Sequence, residues 1–175
     1  MNYPLLRSLK PEKPRVFISY HHHGDQSYYD AFSTAFHDNY EAIYDNSVER
    51  KIDSDNIDYV MRQIRENYIT GTSCTIVLVG AATWGRKYVD WEIKATLDKQ
   101  HSLIGVCLPS APRTADGKIT VPARLFDNIQ SGYALFVSWD TIAANVETLR
   151  ANIADAKSRN VSQIVNTQDL RLRNA

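Results

Sequence analysis

The chain has 175 residues, and its 20 Lys and Arg are matched by 20 Asp and Glu, so it is formally neutral with its five histidines uncharged. That balance excludes a broad electrostatic footprint for nucleic acid or acidic lipid, because nothing in the summed charge draws in a polyanion. With 43% apolar and 23% charged residues the composition is globular, and a chain of this size buries roughly 70% of its unfolded surface around one core. No apolar run approaches the ~20 residues of a membrane span, and the N-terminus lacks a charged-then-apolar leader, so a cytoplasmic protein with no membrane and no nucleic-acid partner is expected. Cys74 and Cys107 fall inside strand-like runs without a CxxC spacing and are expected to be buried, reduced thiols.

Residues 1–14 carry Pro4, Pro11 and Pro14 and no periodic pattern, which predicts an N-terminal arm. Val16-Phe17-Ile18 followed by Ser19-Tyr20 reads as a strand buried on both faces, with a turn at His21 to Gly24. Tyr28, Phe32, Ala35 and Phe36 recur at helical spacing, with Asp25 or Ser27 as the N-cap. A weak second strand is expected over Ala42-Ile43-Tyr44-Asp45. The clearest helix carries Ile57, Val60, Met61, Ile64 and Tyr68, is capped by Ser54 and is closed by Gly71. Cys74 to Val79 is the strongest strand and is expected to be central. Val89, Ile93 and Leu97 line a third helix, and Leu103 to Leu108 form the next strand. Pro109, Pro112 and Pro122 mark a long irregular connection. The last strand is expected over Tyr133 to Trp139, and the last helix carries Ile142, Val146, Leu149 and Ile153. Beyond Arg159 the pattern fades.

Strands and helices thus alternate, with the fourth crossover mostly loop. Alternation with continuously apolar strands predicts an α/β protein whose parallel sheet is covered on both faces. Right-handed crossovers favour a flavodoxin-like three-layer sandwich with a five-stranded sheet in the order 2-1-3-4-5. One domain is expected over 15–158, followed by a C-terminal tail over 159–175.

In such a sheet ligands collect outside the carboxyl ends of the strands. This rule selects Ser19, Tyr20, His21, His22 and His23 after the first strand, Asp45 after the second, Thr83, Trp84 and Arg86 after the third, and Pro109 and Ser110 after the fourth. Neither GxGxxG nor GxxxxGK[ST] is present, and there is no GxSxG elbow. The acidic residues a phosphoreceiver needs at these strand ends are replaced by His21-His22-His23 and Gly80-Ala81.

The segment Trp84-Gly85-Arg86-Lys87-Tyr88-Val89-Asp90-Trp91-Glu92-Ile93 is the most informative in the chain. Asp90 has Arg86, Lys87 and Lys94 at helical offsets of three and four, which predicts a surface acid paired on its own helix. Glu92 has Tyr88, Val89, Ala95 and Thr96 at those offsets, none of them a cation, and lies about 60° from the apolar stripe. A carboxylate there, at the edge of the buried face and among aromatics, is suited to work on a sugar or a cationic base; a solvated or backbone-bonded glutamate is the plainer alternative.

Val16-Phe17-Ile18-Ser19-Tyr20, followed by His and Asp, resembles the opening strand and loop of TIR domains. Trp84 through Glu92, with Trp91-Glu92-Ile93 in the helix after the third strand, resembles the TIR-like ThsB proteins of the bacterial Thoeris antiphage system. The resemblance spans about Arg15 to Lys157 and implies a TIR-like domain. It further implies that Glu92 is catalytic in cleaving the nicotinamide-ribose bond of NAD, a substrate and not a cofactor. The implied product is a cyclic or conjugated ADP-ribose that activates a separate effector, and the implied pocket is bordered by Ser19, Tyr20 and His21. Three consecutive histidines are not a hallmark of the family, and the loop after the second strand lacks the Pro-containing signature of receptor-type TIR domains.

The residue types fit this chemistry. A departing nicotinamide is neutral, so the demand is for a carboxylate that holds ribose hydroxyls and offsets the charge of an oxocarbenium-like transition state. Trp84, Tyr20 or Trp91 offers a stacking face for a ring, against the alternative of core or rim packing. Asp45 either hydrogen-bonds a ribose or caps a turn. No metal is expected at the triple histidine. Two other readings share the fold: a non-enzymatic module that self-associates or recruits a partner, and an enzyme of the nucleoside deoxyribosyltransferase kind, in which a glutamate attacks the sugar.

Overall fold

A computed structural model describes residues 13–39, 41–43 and 54–175, with 41–43 described by backbone alone. Strand β1 (Arg15–Ser19) is followed by helix α1 (His22–Phe36), the three-residue β2 (Glu41–Ile43) and helix α2 (Ile57–Gln63). Then come β3 (Cys74–Val79), α3 (Lys87–Asp98), β4 (Ser102–Cys107), α4 (Ala123–Gln130), β5 (Leu135–Ser138), the single turn α5 (Trp139–Ile142) and α6 (Val146–Ser158). β1, β3, β4 and β5 form a parallel sheet in that spatial order, in register Val16 to Cys74, Cys74 to Ser102 and Ile104 to Leu135. β2 pairs in parallel along the outer edge of β1. β3 is buried along its whole length, as its unbroken β-branched and apolar sequence predicts. The arrangement is an α/β fold consistent with the flavodoxin-like class. Tyr44 and Asp45, expected to complete the second strand, lie outside the described residues.

Strand alternation sorts the core into two faces. Val16, Ile18 and Tyr20 join Phe32 and Phe36 of α1 and Leu149 and Ile153 of α6. Phe17 faces the other way, toward α2 and Trp91. Val77 and Val79 meet Val89, Ile93 and Leu97 of α3 and Leu125 of α4. A short polar chain crosses that second face. The Thr75 and Thr96 hydroxyls lie 2.7 Å apart, and Thr96 donates to the Glu92 carbonyl at 2.8 Å. Apolar contacts leave a helix free to rotate and slide; directional hydrogen bonds fix α3 in one orientation on β3.

Several boundaries differ from expectation, each for a local reason. The turn expected at His21 to Gly24 is already the start of α1: His21 occupies the N-cap position, and its carbonyl accepts the amide hydrogens of Gly24 and Asp25. Neither Asp25 nor Ser27 caps this helix, since both lie inside it and the Asp25 side chain is buried. α2 is capped by Asn56, which accepts the Tyr59 amide at 3.0 Å, while the Ser54 hydroxyl accepts the Asn56 amide at 3.1 Å. From Ile64 to Ile69 the helix widens into a π-helical turn, with the Thr70 amide and hydroxyl both donating to the Arg65 carbonyl. The wider turn keeps Ile64, Tyr68 and Ile69 all buried. Gly71, at φ 88°, closes it as expected.

The fourth crossover holds a helix, α4, that apolar periodicity misses because Arg124 and Asn128 stand beside Leu125 at its buried positions. The last strand stops at Ser138, whose side chain caps α5. The single apolar series from Ile142 to Ile153 is split between α5 and α6, with Asn145 capping the latter by accepting the Thr148 amide at 2.8 Å. Cys74 is fully buried, which pushes its thiol up to about 12, and Cys107 is half-buried at the end of β4; both are free thiols.

Beyond Arg159 the chain is not helical, yet it is held. A short 3-10 turn over Val161–Gln163 leads into a segment laid along α3 and α4. The Asn128 side chain donates to the Val165 carbonyl at 2.7 Å and accepts the Val165 amide at 3.0 Å. The Trp91 indole donates to the Arg171 carbonyl at 2.8 Å. Asn174 accepts the amide of Lys87, the first residue of α3. Such side-chain-to-backbone bonds need no apolar repeat in the tail, which is why the pattern fades there.

Candidate functional site

The same alternation that divides the core decides which predicted site residues meet. Phe17 and Ser19 lie on one face of β1, and Tyr20 lies on the other. At the carboxyl end of β1 the Ser19 hydroxyl donates to the Glu92 carboxylate at 2.5 Å, across 73 residues of sequence. Glu92 is only 4% exposed, so it sits deeper than the edge position expected from its helical angle. Tyr68, in the π-helical turn that follows α2, is its neighbour: burial raises the phenol pKa, and the Glu92 charge raises it further. Tyr68 was legible as part of the α2 stripe, but nothing in its spacing showed that it faces a carboxylate.

Tyr20 is buried against Tyr29, with ring centroids 4.7 Å apart and planes within 9°, and its hydroxyl donates to Gln26 at 3.0 Å. It is therefore packed into the α1 face and not beside Glu92. His21 is buried at the start of α1, and His22 and His23 occupy its first turn. Among the described residues no group of three or more His, Cys, Asp and Glu is placed to hold a metal ion. Asp45 lies outside the described residues. Trp91 is a core residue, edge-on to Tyr88 with its indole bonded to the tail, so it offers no stacking face.

Trp84 is 39% exposed and lines a cavity of about 530 Å³ with Asp90, Pro122, Gln168, Arg171 and Arg173. This cavity opens on the Asp90 face of α3, about 200° round the helix from Glu92 at 3.6 residues per turn. Asp90 itself corrects the sequence reading. It is 6% exposed and pairs with the fully buried Arg124, Nε to Oδ1 at 3.0 Å, and not with the cations of its own helix. Its Oδ2 also accepts the Arg171 amide at 2.9 Å. Lys94, one of the expected partners, pairs with Asp98 at 3.0 Å. Arg124 lies 34 residues away in a segment read as loop, so no local rule could pair it with Asp90.

Glu92 can accept hydrogen bonds and offset positive charge at the carboxyl end of β1, where this class of sheet collects ligands. No helix among the described residues is long and apolar enough to cross a membrane. No curated protein matches the chain. A family model for the Thoeris protein ThsB, TIR-like domain, matches residues 17–113. That match takes in β1 from Phe17 to Ser19, all of α3 and Glu92, and covers more than half of the chain. The chain belongs to the ThsB TIR-like family.

Proposed function

We propose that the protein cleaves the bond between nicotinamide and ribose in NAD, with Glu92 as the catalytic carboxylate, and serves Thoeris antiphage defence by making an ADP-ribose signal. The observation that carries this reading is the buried Glu92 carboxylate held by Ser19 at 2.5 Å at the carboxyl end of β1. A carboxylate that serves only as a surface charge needs neither burial nor a fixed hydroxyl partner.

In the reaction the C1′–N bond breaks and its electron pair leaves on the nicotinamide nitrogen, which becomes neutral. The positive charge left on the ribose is offset by Glu92, whose oxygens also accept ribose hydroxyls. Capture of C1′ by a hydroxyl or ring nitrogen of an acceptor, with loss of its proton, gives the cyclic or conjugated ADP-ribose; capture by water gives ADP-ribose. Ser19 keeps the carboxylate aimed. His21 and Asp45 remain candidate substrate contacts, while Tyr20 is packed on α1 and Trp84 lies on the Asp90 face of α3; a separate effector is the partner that reads the product.

Mass spectrometry of small molecules from phage-challenged cells tests the proposal. Wild-type protein should consume NAD and accumulate nicotinamide and an ADP-ribose product, and Glu92→Gln should do neither while unfolding at the wild-type temperature. Undiminished consumption by Glu92→Gln sinks the assignment. Turnover of deoxynucleosides in place of NAD would move the same carboxylate to a different glycosidic substrate.

A further inference from the structure

A second buried carboxylate lies at the same end of the sheet and has no part in the cleavage step. Asp25, in the first turn of α1, is 1% exposed. The Thr83 hydroxyl donates to its Oδ2 at 2.9 Å, and that hydroxyl in turn accepts the Gly80 amide at 2.9 Å. Ser110, in the segment after β4, lies near enough to act on the same carboxyl group. One side chain thus ties together the segments that follow β1 and β3. Gly80 shows how closely they meet: a Cβ built there would stand 1.9 Å from Asp25 Oδ1 and 2.5 Å from its carboxyl carbon. The carboxylate occupies the space of the missing side chain, so this fit requires glycine at position 80.

Thr83 is also the first residue of the 3-10 turn that launches α3. Its carbonyl accepts the Arg86 amide at 3.2 Å, and the Arg86 carbonyl accepts the Asp90 amide at 3.2 Å. The path from Asp25 to the first turn of α3 is therefore a continuous run of hydrogen bonds, and Glu92 follows two residues later. Burying a carboxylate costs several kcal/mol unless its hydrogen bonds are well made. A turn that needed only filling would be served by an apolar residue of similar size.

We infer that Asp25 is a positioning residue for the proposed NAD-cleaving site: acting through Thr83, it fixes the 80–86 turn and with it the N-terminal end of the helix that carries Glu92. The inference rests on the proposed function for its catalytic consequence and on geometry alone for the clasp itself. Two readouts separate these.

The first is hydrogen exchange by NMR at the Gly80, Arg86 and Asp90 amides, which needs no activity. Exchange should accelerate about tenfold or more in Thr83→Val and Asp25→Ala, and should stay at the wild-type rate in Thr83→Ser and Asp25→Asn, which keep a hydroxyl and an acceptor in place. Unchanged exchange in Thr83→Val overturns the clasp. The second is steady-state NAD cleavage well below the unfolding temperature. Thr83→Val should lower kcat about tenfold with KM within about twofold, and Thr83→Ser should restore it. Accelerated exchange with wild-type kcat overturns the positioning role and leaves a purely structural clasp. Accelerated exchange with an inactive wild type removes the catalytic consequence, and the failure then belongs to the proposed function.

Discussion

Two carboxylates on α3, two residues apart, are both buried and are treated in opposite ways. On the α4 side, Asp90 meets the Arg124 guanidinium through both oxygens and accepts the Arg171 amide, while Arg124 also binds the Asn166 side chain and the Asp169 carbonyl. On the sheet side, Glu92 is met by the hydroxyl of Ser19 beside Tyr68. The first arrangement neutralises its charge and uses it to join α3, α4 and the tail. The second aims its carboxylate with a neutral donor at a strand end. Burial alone does not distinguish a structural acid from one proposed as catalytic; Asp90 is set apart by the cation and the backbone segments it joins.

The comparison can be broken first on the structural side. Arg124→Ala leaves Asp90 buried without its guanidinium and should cost about 3–5 kcal/mol of stability, measured by denaturant unfolding. A loss below ~1 kcal/mol would mean that the Asp90 node is not what holds the tail. Next comes Glu92→Gln, with the reverse profile: NAD cleavage should fall about 10²–10³-fold, while unfolding stability stays within about 1 kcal/mol of wild type. If one variant moved both quantities as the other does, the two faces of α3 would not be separable. Ser19→Ala sharpens the contrast on the chemical side. It keeps Glu92 but releases its aim, and kcat should drop by about tenfold, the scale of one hydrogen bond to a charged group.

The smallest effect concerns pH. Burial raises the Asp25 pKa above its ordinary 3.8, against the hydrogen bonds from Thr83 and Ser110 that lower it. A carboxyl raised in the folded state contributes stability fully below its unfolded value and loses that contribution as pH rises through the native value. The stability of Asp25→Asn relative to wild type should therefore grow as pH rises from below 3.8 toward neutrality, measured by urea unfolding across that range. A difference independent of pH would show that Asp25 titrates alike in the folded and unfolded chains.

What could be read without coordinates follows from how local each signal is. The parallel strands were legible because burial on both faces leaves unbroken apolar runs, and α1, α2 and α3 because their stripes recur every three to four residues. Glu92 stood out because its helix offers no cation at the right offsets. Its partner Ser19 was on the short list for a separate reason, as a residue at the end of β1, and only the register of β1 against α3 joined the two. α4 was missed because its buried face is partly polar, and the role of Asp90 was misread because its cation lies on a different helix. The tail carried no periodic signal, since it is held by backbone groups and by scattered polar side chains such as Asn166 and Asn174, which follow no apolar repeat. Asp25 reads as a capping residue, the commonest use of an aspartate near a helix start, and its burial, its bond to Thr83 and the close approach at Gly80 show that it faces inward.

The Asp90 node also sets an order of assembly. Its members are Asp90, Arg124, Asn166, Asp169 and Arg171, and the last three are made only after both helices they join. As the chain emerges N-terminus first, α3 and α4 exist for a time with a buried-type ion pair open on one side, and long-range closure is the slow kind of contact. The helix that carries Glu92 therefore reaches its final setting late. Refolding experiments should show the sheet protected from exchange before the Arg171 amide, and the proposed NAD cleavage recovering with the latter.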